Sequence, residues 1–374
     1  MFQQKILSAE NNYSALSDYL FTLNIKKILL VHGKSFYRLP IANFFLSLKI
    51  PSVHFTDFAP NPIYESVTAG VDFYRKNNCD ALIAVGGGSA IDVAKCIKLF
   101  ANMNGGVDYL QQKIIPNKIP LIAVPTTAGT GSESTHFAVI YRAGKKFSVA
   151  DKSALPSALM LDSSAIKFLP AYQKKVGMLD AFCHALEASW SVNSSEKSRA
   201  YAFEAIRLIC ANWKFYLSEN SSETCCAYML YASRLAGMAI NLAKTTAGHA
   251  LSYKLTSKFG IAHGHAAALC VVEVWKHMQE NLNCAVNNNL SEIFQQLAES
   301  MNCATVDEAI NYFKKILADL NLNKPLQENF SESDIEDLAA SVNVERLANN
   351  PVRLDEVAIK NIYRQILKGV NFES

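Results

Sequence analysis

Lys26-Lys27-Ile28-Leu29-Leu30-Val31 starts polar, becomes continuously apolar and stops at Gly33. A run of that kind predicts a strand buried on both faces. Three further β-like runs follow: Ser52-Val53-His54-Phe55, Ala81 to Val85, and Ile119 to Val124. Between them, Ile63 to Lys76 and the stretch from Ala90 carry apolar residues at helical spacing, and Asn61-Pro62 marks a turn. Strands alternating with helices predict a parallel sheet with helices on its faces. After about Pro170 strand-like runs become rare. Gly177 to Ser191, Ser198 to Leu217, Glu223 to Leu242 and several stretches up to Lys368 read as helices. The expected division is therefore an α/β domain over residues 1–168 and an all-helical domain over 169–374. No internal repeat is evident, and Asn287-Asn288-Asn289 reads as a loop.

The 374 residues fit two domains at about 150 residues each. Half of the residues are apolar and 18% are charged, which is a globular composition. A formal net charge of +3 does not point to nucleic acid, which favours a strongly basic, clustered surface. No apolar run reaches the roughly 18 residues of a membrane span. The polar start, Met1-Phe2-Gln3-Gln4-Lys5 and then Ser8 to Asn12, lacks the apolar core of a secretory signal. The nine cysteines include no C-x-x-C pair, so reduced thiols and a cytoplasmic location are expected.

Two segments in the first half carry candidate chemistry. Val85-Gly86-Gly87-Gly88-Ser89-Ala90-Ile91-Asp92-Val93-Ala94-Lys95 reads as strand, glycine turn and helix start. Glycines allow positive φ and close backbone approach, and a helix start offers unpaired N–H groups to a pyrophosphate. Ser89 is placed to cap that helix, with Asp92 three residues on, close to a capping box. Pro125-Thr126-Thr127-Ala128-Gly129-Thr130-Gly131-Ser132-Glu133 then follows an apolar run, where ligands of open α/β sheets bind. The alternative is a plain tight turn and an ordinary Ser/Thr/Gly loop.

In the second half, Asp180 and His184 stand four residues apart and share a helix face. Gly248-His249 and Ala262-His263-Gly264-His265 follow, with Tyr253 one turn beyond His249. One carboxylate with several imidazoles suits Fe²⁺ or Zn²⁺ rather than Ca²⁺ or Mg²⁺. Spacing alone leaves open the alternative of separate capping and core histidines.

Gly86 to Lys95, Pro125 to Glu133, Gly177 to Glu187, and His249-Ala250-Leu251-Ser252-Tyr253 with Ile261 to Gly264 together resemble the iron-containing (group III) alcohol dehydrogenases. Asn350-Pro351 and Ile359 to Leu367 resemble that family's C-terminal helices, so the likeness covers nearly the whole chain. It implies a dehydroquinate synthase-like architecture: an NAD(P)-binding α/β domain, a helical metal domain and a cleft between them. By position it implies Asp180, His184, His249 and His263 as ligands of a divalent metal, Fe²⁺ or else Zn²⁺. It assigns Gly86, Gly87, Gly88, Ser89 and Asp92 to the phosphate turn, and Thr126, Thr127 and Thr130 to the loop lining the cofactor. Lys146 resembles a cofactor-contacting lysine, against the alternative of a surface lysine. A small aldehyde or alcohol substrate and a homodimer or larger homo-oligomer are further implications.

Two departures bear on function. Many relatives have an acidic residue after the first strand for the ribose 2′-hydroxyl, where this chain has Gly33 and then Lys34. The change removes repulsion against a 2′-phosphate and adds a cation, so NADPH is expected to be accepted. Tyr253 stands where some relatives have a proton-passing histidine, and either relays a hydroxyl proton or packs the pocket. A finer likeness, in Lys244 to Tyr253 with His263 to Ala266, is to the branch that reduces phosphonoacetaldehyde to 2-hydroxyethylphosphonate. Lys244, Thr245 and Thr246 would then hold an anionic tail. The expected activity is NAD(P)H-linked, metal-dependent aldehyde reduction. The rival readings are a general short-chain (butanol-type) alcohol dehydrogenase, a sugar-phosphate cyclase and a non-catalytic nucleotide-binding relative.

Overall fold

We describe the chain from a computed structural model over residues 4–286, 289–326, 330–342 and 347–370. Met1 to Gln3 of the polar start and Asn287-Asn288 of the asparagine run lie outside these residues. The chain divides into two compact units, residues 1–169 with 220–234, and residues 170–219 with 235–374. This division differs from the single cut expected at 168/169 by giving the early part of one long helix to the first unit.

The first unit runs β1 (Lys5–Leu7), α1 (Glu10–Thr22), β2 (Ile28–His32), α2 (Pro40–Ser47), β3 (Ser52–Phe55), α3 (Tyr64–Lys76), β4 (Ala81–Gly86) and α4 (Gly88–Phe100). It continues through β5 (Leu121–Pro125), β6 (Phe137–Arg142), β7 (Lys145–Ala150), β8 (Ala158–Met160) and the short α5 (Ser164–Lys167). Six strands form one parallel sheet in the order β1-β8-β5-β4-β2-β3. Alternation across the pleat explains the continuous apolar runs. Leu29, Val31, Leu82, Ala84, Leu121 and Ala123 enter one core, whereas Ile28, Leu30, Ile83, Val85, Ile122 and Val124 enter the other. From β2 the chain steps outward to β3, then crosses back to lay β4, β5 and β8 on the opposite side. The order therefore reverses between β2 and β4, and a ligand site is expected at their adjoining carboxyl ends. β1 and β8 are too short to show a period, and the β6–β7 hairpin lies outside the sheet.

The second unit holds α6 (Ala171–Trp190), α7 (Glu196–Leu217), the later part of α8 (Glu223–Ala243), α9 (Ala247–Phe259), α10 (His263–Glu280), α11 (Leu290–Ser300), α12 (Val306–Asp319), α13 (Glu332–Ala340) and α14 (Glu356–Lys368). Buried from Gly264 through Trp275, α10 is the central helix, packed by α6, α9, α12 and α14. A helix covered on all sides reads as apolar all round, as α10 does from Ala266 to Val272.

One buried polar network ties α4 to the loop after β5. The fully buried Lys95 uses its three donors on Ser132 Oγ (3.1 Å), Thr135 Oγ1 (2.9 Å) and the Phe137 carbonyl (2.8 Å). Asp92 accepts from the Ser132 hydroxyl and from the Val139 N–H. Burial pushes Asp92 up and Lys95 down to about 8, each shift only partly offset by the other group. Lys95→Met should cost about 3–5 kcal/mol, because it strands the Asp92 charge. The loss should shrink as pH falls, since Asp92 is then neutralised in the folded state. Urea unfolding of the purified protein at two pH values measures both effects.

Candidate active site

The glycine turn sits where β4 passes into α4, at the switch point. Its three glycines do not take positive φ. They serve close approach instead. A Cβ on Gly86 would stand 2.6 Å from Ala90 Cβ, and one on Gly88 would stand 2.9 Å from Thr130 Oγ1. On Gly87 it would meet Thr127 Oγ1 at 3.1 Å. The Thr126 N–H donates to the Gly86 carbonyl at 3.0 Å, so the glycine turn and the threonine loop form one surface. The expected cap is corrected. Gly87 is the N-cap, without a side-chain bond, and Ser89 lies inside α4 accepting from the Asn61 N–H at 3.3 Å. Without a Cβ at Gly87 the chain enters the helix earlier than a serine cap would place it. Asp92 is likewise not part of a capping box; its carboxylate holds Ser132 and Val139.

Gly33 follows β2 beside this turn, since His32 lies opposite Val85 in the sheet register. Its backbone is extended, and nothing lies within 4 Å of a Cβ built there. Lys34 is exposed. Sequence reasoning missed the neighbouring pair His32–His54, whose Nε2 and Nδ1 stand 2.8 Å apart. Their separation in sequence hides a contact that only the pairing of β2 with β3 creates. Half-buried Lys146 on β7 lies near enough to Asp92 to pull that carboxyl down slightly against burial.

In the helical unit, Asp180 and His184 come from the middle of α6, His249 from the first turn of α9 and His263 from the start of α10. Two glycines let these helices meet. A Cβ on Gly264 would lie 2.0 Å from the Val176 carbonyl oxygen and 2.9 Å from Asp180 Cβ. One on Gly248 would lie 2.3 Å from Val271 Cγ2 and 3.2 Å from Glu187 Oε1. Asp180 Oδ1 is 3.6 Å from His249 Nε2, 3.9 Å from His263 Nε2 and 4.0 Å from His184 Nε2. Donors bound to one tetrahedral ion stand about 3.4 Å apart. Asp180 Oδ1 and His249 Nε2 are buried and have no hydrogen-bond partner among the described residues. Buried atoms of this kind call for a partner, and donor atoms of Asp180, His184 and His249 all within 4.8 Å of one another fit a first-row divalent cation.

In the cluster itself the carboxylate and the imidazoles favour each other's charge. Burial alone would raise the Asp180 carboxyl, but His184, His249 and His263 hold it well below the usual carboxylate range. Burial would lower His249, but Glu187 and Asp180 raise it to about 9. Half-buried Tyr253 stacks its ring on His263, with centroids 5.5 Å apart and planes within 5°. His265 points elsewhere, with its Nε2 on the Leu322 carbonyl at 2.8 Å.

Three further observations bear on the α8–α9 turn. Lys244 is exposed and has φ +64, which ends α8. The expectation that Thr246 offers its hydroxyl to a substrate anion is overturned. That hydroxyl is buried, donates to Glu187 Oε1 at 2.8 Å and accepts from Trp190 Nε1 at 3.0 Å. Glu187, which sequence reasoning did not single out, is fully buried beside His249. Its spacing was a usable signal, because residues 180, 184 and 187 fall on one helix face.

A parallel sheet with a glycine turn at its switch point, and a helical unit presenting a carboxylate and imidazoles, define a dinucleotide-linked, metal-dependent oxidoreductase. Comparison with known proteins makes the class specific. The family model described as "Iron-containing alcohol dehydrogenase" matches residues 3–163, and that of the family's C-terminal part matches residues 175–367. The chain belongs to the iron-containing alcohol dehydrogenase family, whose members use NAD(P) and iron. It is 31% identical over 331 residues to long-chain-alcohol dehydrogenase 1 of Geobacillus thermodenitrificans, covering 86% of this chain and 84% of that one. It is 33% identical over 219 residues, 55% of each chain, to phosphonoacetaldehyde reductase of Streptomyces viridochromogenes. The crystal structure of sulfoacetaldehyde reductase from Bifidobacterium kashiwanohense in complex with NAD⁺ matches with TM-score 0.89 and 26% identity over 98% of both chains. All nine cysteines are free, and among the described residues no helix is long and apolar enough to cross a membrane.

His263→Ala removes one donor from the cluster. Chelator competition should read a fall in Zn²⁺ affinity at least as large as the roughly 10–100-fold that losing a supporting partner causes. Unchanged affinity would remove His263 from the set.

Proposed function

We propose that this dehydrogenase reduces a short aldehyde bearing an anionic group, of the phosphonoacetaldehyde type, with NADPH accepted. The metal-dependent part rests on one observation: the buried, unpartnered Asp180 Oδ1 and His249 Nε2 face each other, with His184 and His263 around the same oxygen. Asp180, His184, His249 and His263 would hold the ion. When bound, a divalent metal supplies Lewis-acid polarisation of a carbonyl, and the reduced nicotinamide supplies hydride.

The chain's own residues do the rest. The Gly86–Ser89 turn and the first N–H groups of α4 bind the cofactor pyrophosphate, and Thr126, Thr127 and Thr130 line it. Tyr253, one turn from His249, holds a hydroxyl proton for the product alcohol. Lys244 gives the substrate's tail a cation five residues ahead of His249. Two relatives support an anionic substrate, since phosphonoacetaldehyde and sulfoacetaldehyde are both two-carbon aldehydes ending in a strong-acid anion. With Thr246 committed to Glu187, Lys244 carries this role without that hydroxyl.

Two substitutions test the reading. Gly33→Asp fits the extended backbone and open space at that position, so it changes charge rather than fold. It should move the kcat/KM ratio of NADPH to NADH toward NADH; a wild type that uses only NADH would refute the placement of the ribose beside Gly33. Lys244→Ala should lower the kcat/KM ratio of phosphonoacetaldehyde to butyraldehyde by about 10–150-fold, the worth of one charge-assisted contact. An unchanged ratio removes Lys244 as the anchor. A wild type preferring butyraldehyde leaves a general short-chain alcohol dehydrogenase.

A further inference from the structure

We propose that Glu187 is a positioning residue that fixes which nitrogen of His249 faces the metal, and thereby sets metal affinity. The inference rests on the ligand set proposed above. Glu187 projects from α6 one turn beyond His184 and is completely buried. Its Oε1 accepts from the Thr246 N–H (3.0 Å), the Thr246 hydroxyl (2.8 Å) and the His249 N–H (3.2 Å). Its Oε2 is in close contact with His249 Nδ1. With these four contacts, the carboxylate is clamped to the first turn of α9, where a negative charge is also favoured by the helix N-terminus.

The clamp has a chemical consequence. A carboxylate so occupied only accepts, so His249 Nδ1 must carry a hydrogen toward it. In the neutral imidazole, the form a metal binds, Nε2 is then the nitrogen that offers a lone pair, and Nε2 is the atom that faces Asp180 Oδ1 at 3.6 Å. The ring cannot swap ends, because His184 stacks on it with centroids 4.6 Å apart and planes within 14°. Close packing at Gly248 leaves α9 no room to shift, since a Cβ there would already meet Val271 and Glu187. Thr246 extends the arrangement outward to Trp190, so the orientation of the ligand is anchored in the core of the helical unit.

The test uses Glu187→Gln and Glu187→Asp in the full chain. Glutamine has nearly the same shape, but it keeps only one acceptor oxygen. With that oxygen retained by Thr246 and the His249 N–H, its NH₂ group faces His249 Nδ1. Two donors then oppose each other, and His249 is driven to the tautomer with its hydrogen on Nε2. We expect Zn²⁺ affinity of the metal-free protein, measured by chelator competition, to fall about 10–100-fold in Glu187→Gln, with circular dichroism showing the metal-free variant folded. Glu187→Asp keeps the charge and should recover part of the affinity. Wild-type affinity in a folded Glu187→Gln protein overturns the proposal. A second measurement does not depend on the variant folding. In the Zn²⁺-loaded wild type, ¹⁵N chemical shifts of His249 should show Nδ1 protonated and Nε2 bound; Nδ1 bound to metal overturns the proposal. His249→Ala separates the two levels. If it binds Zn²⁺ like the wild type, the ligand set itself is wrong; if it loses Zn²⁺ while Glu187→Gln does not, only the role of Glu187 fails.

Discussion

The helical unit is organised around a carboxylate that has been taken out of water. A buried charge is tolerated only when opposite charge or strong hydrogen-bond donors surround it. Asp180 meets that requirement with imidazoles from three helices, and this fixes where the helices must cross. The crossing brings α10 so near α6 that position 264 has no space for a side chain, and α9 so near α10 that position 248 has none. Glu187, a second buried carboxylate two turns along α6, meets the same requirement through the first turn of α9. Packing and site chemistry are therefore one constraint here. The contacts that let α6, α9 and α10 approach are the contacts that aim the donors.

The first unit solves a related problem differently. Its buried cation, Lys95, is surrounded by hydroxyls and a carbonyl, and its half-buried anion, Asp92, accepts from a hydroxyl and a backbone N–H. These bonds pin the loop after β5 to α4. They do so below the place where Thr127 and Thr130 pack on the glycine turn. A rigid cradle suits a pyrophosphate, because donors held in place need no reorganisation when the ligand arrives. Asp92 thus holds the loop in place rather than capping the helix.

Much of this was legible in the residues. The apolar runs at β2, β4 and β5 announced strands buried on both faces, β3 was legible as a short β-like run, and the loss of such runs after Pro170 announced the helical half. Asp180 and His184 could be paired from helical spacing, but His249 and His263 could be joined to them only through family resemblance, because proximity across some 60 to 80 residues leaves no local trace. The start of α4 was misjudged because a serine cap is a stronger local signal than a glycine packed against a threonine loop that lies 40 residues on. Thr246 was assigned to the substrate because nothing in its neighbours reveals that Glu187, 59 residues earlier, accepts the hydrogen bond of its hydroxyl. The β6–β7 hairpin was readable, since Ala143-Gly144 joins two alternating runs and both residues take positive φ. Its strands lack the long apolar run that marks β2, β4 and β5.

The proposed ligands surround a single ion position, and crystallography with anomalous scattering tests that most directly. Crystals grown without oxygen from protein supplied with Fe²⁺ should show, at the iron absorption edge, one strong anomalous peak in the helical unit. We predict it about 2.0–2.2 Å from Asp180 Oδ, His184 Nε2, His249 Nε2 and His263 Nε2, distances typical of first-row divalent ions. A peak bound by other residues, or a cluster that stays empty in protein that is active and iron-loaded, would contradict the account.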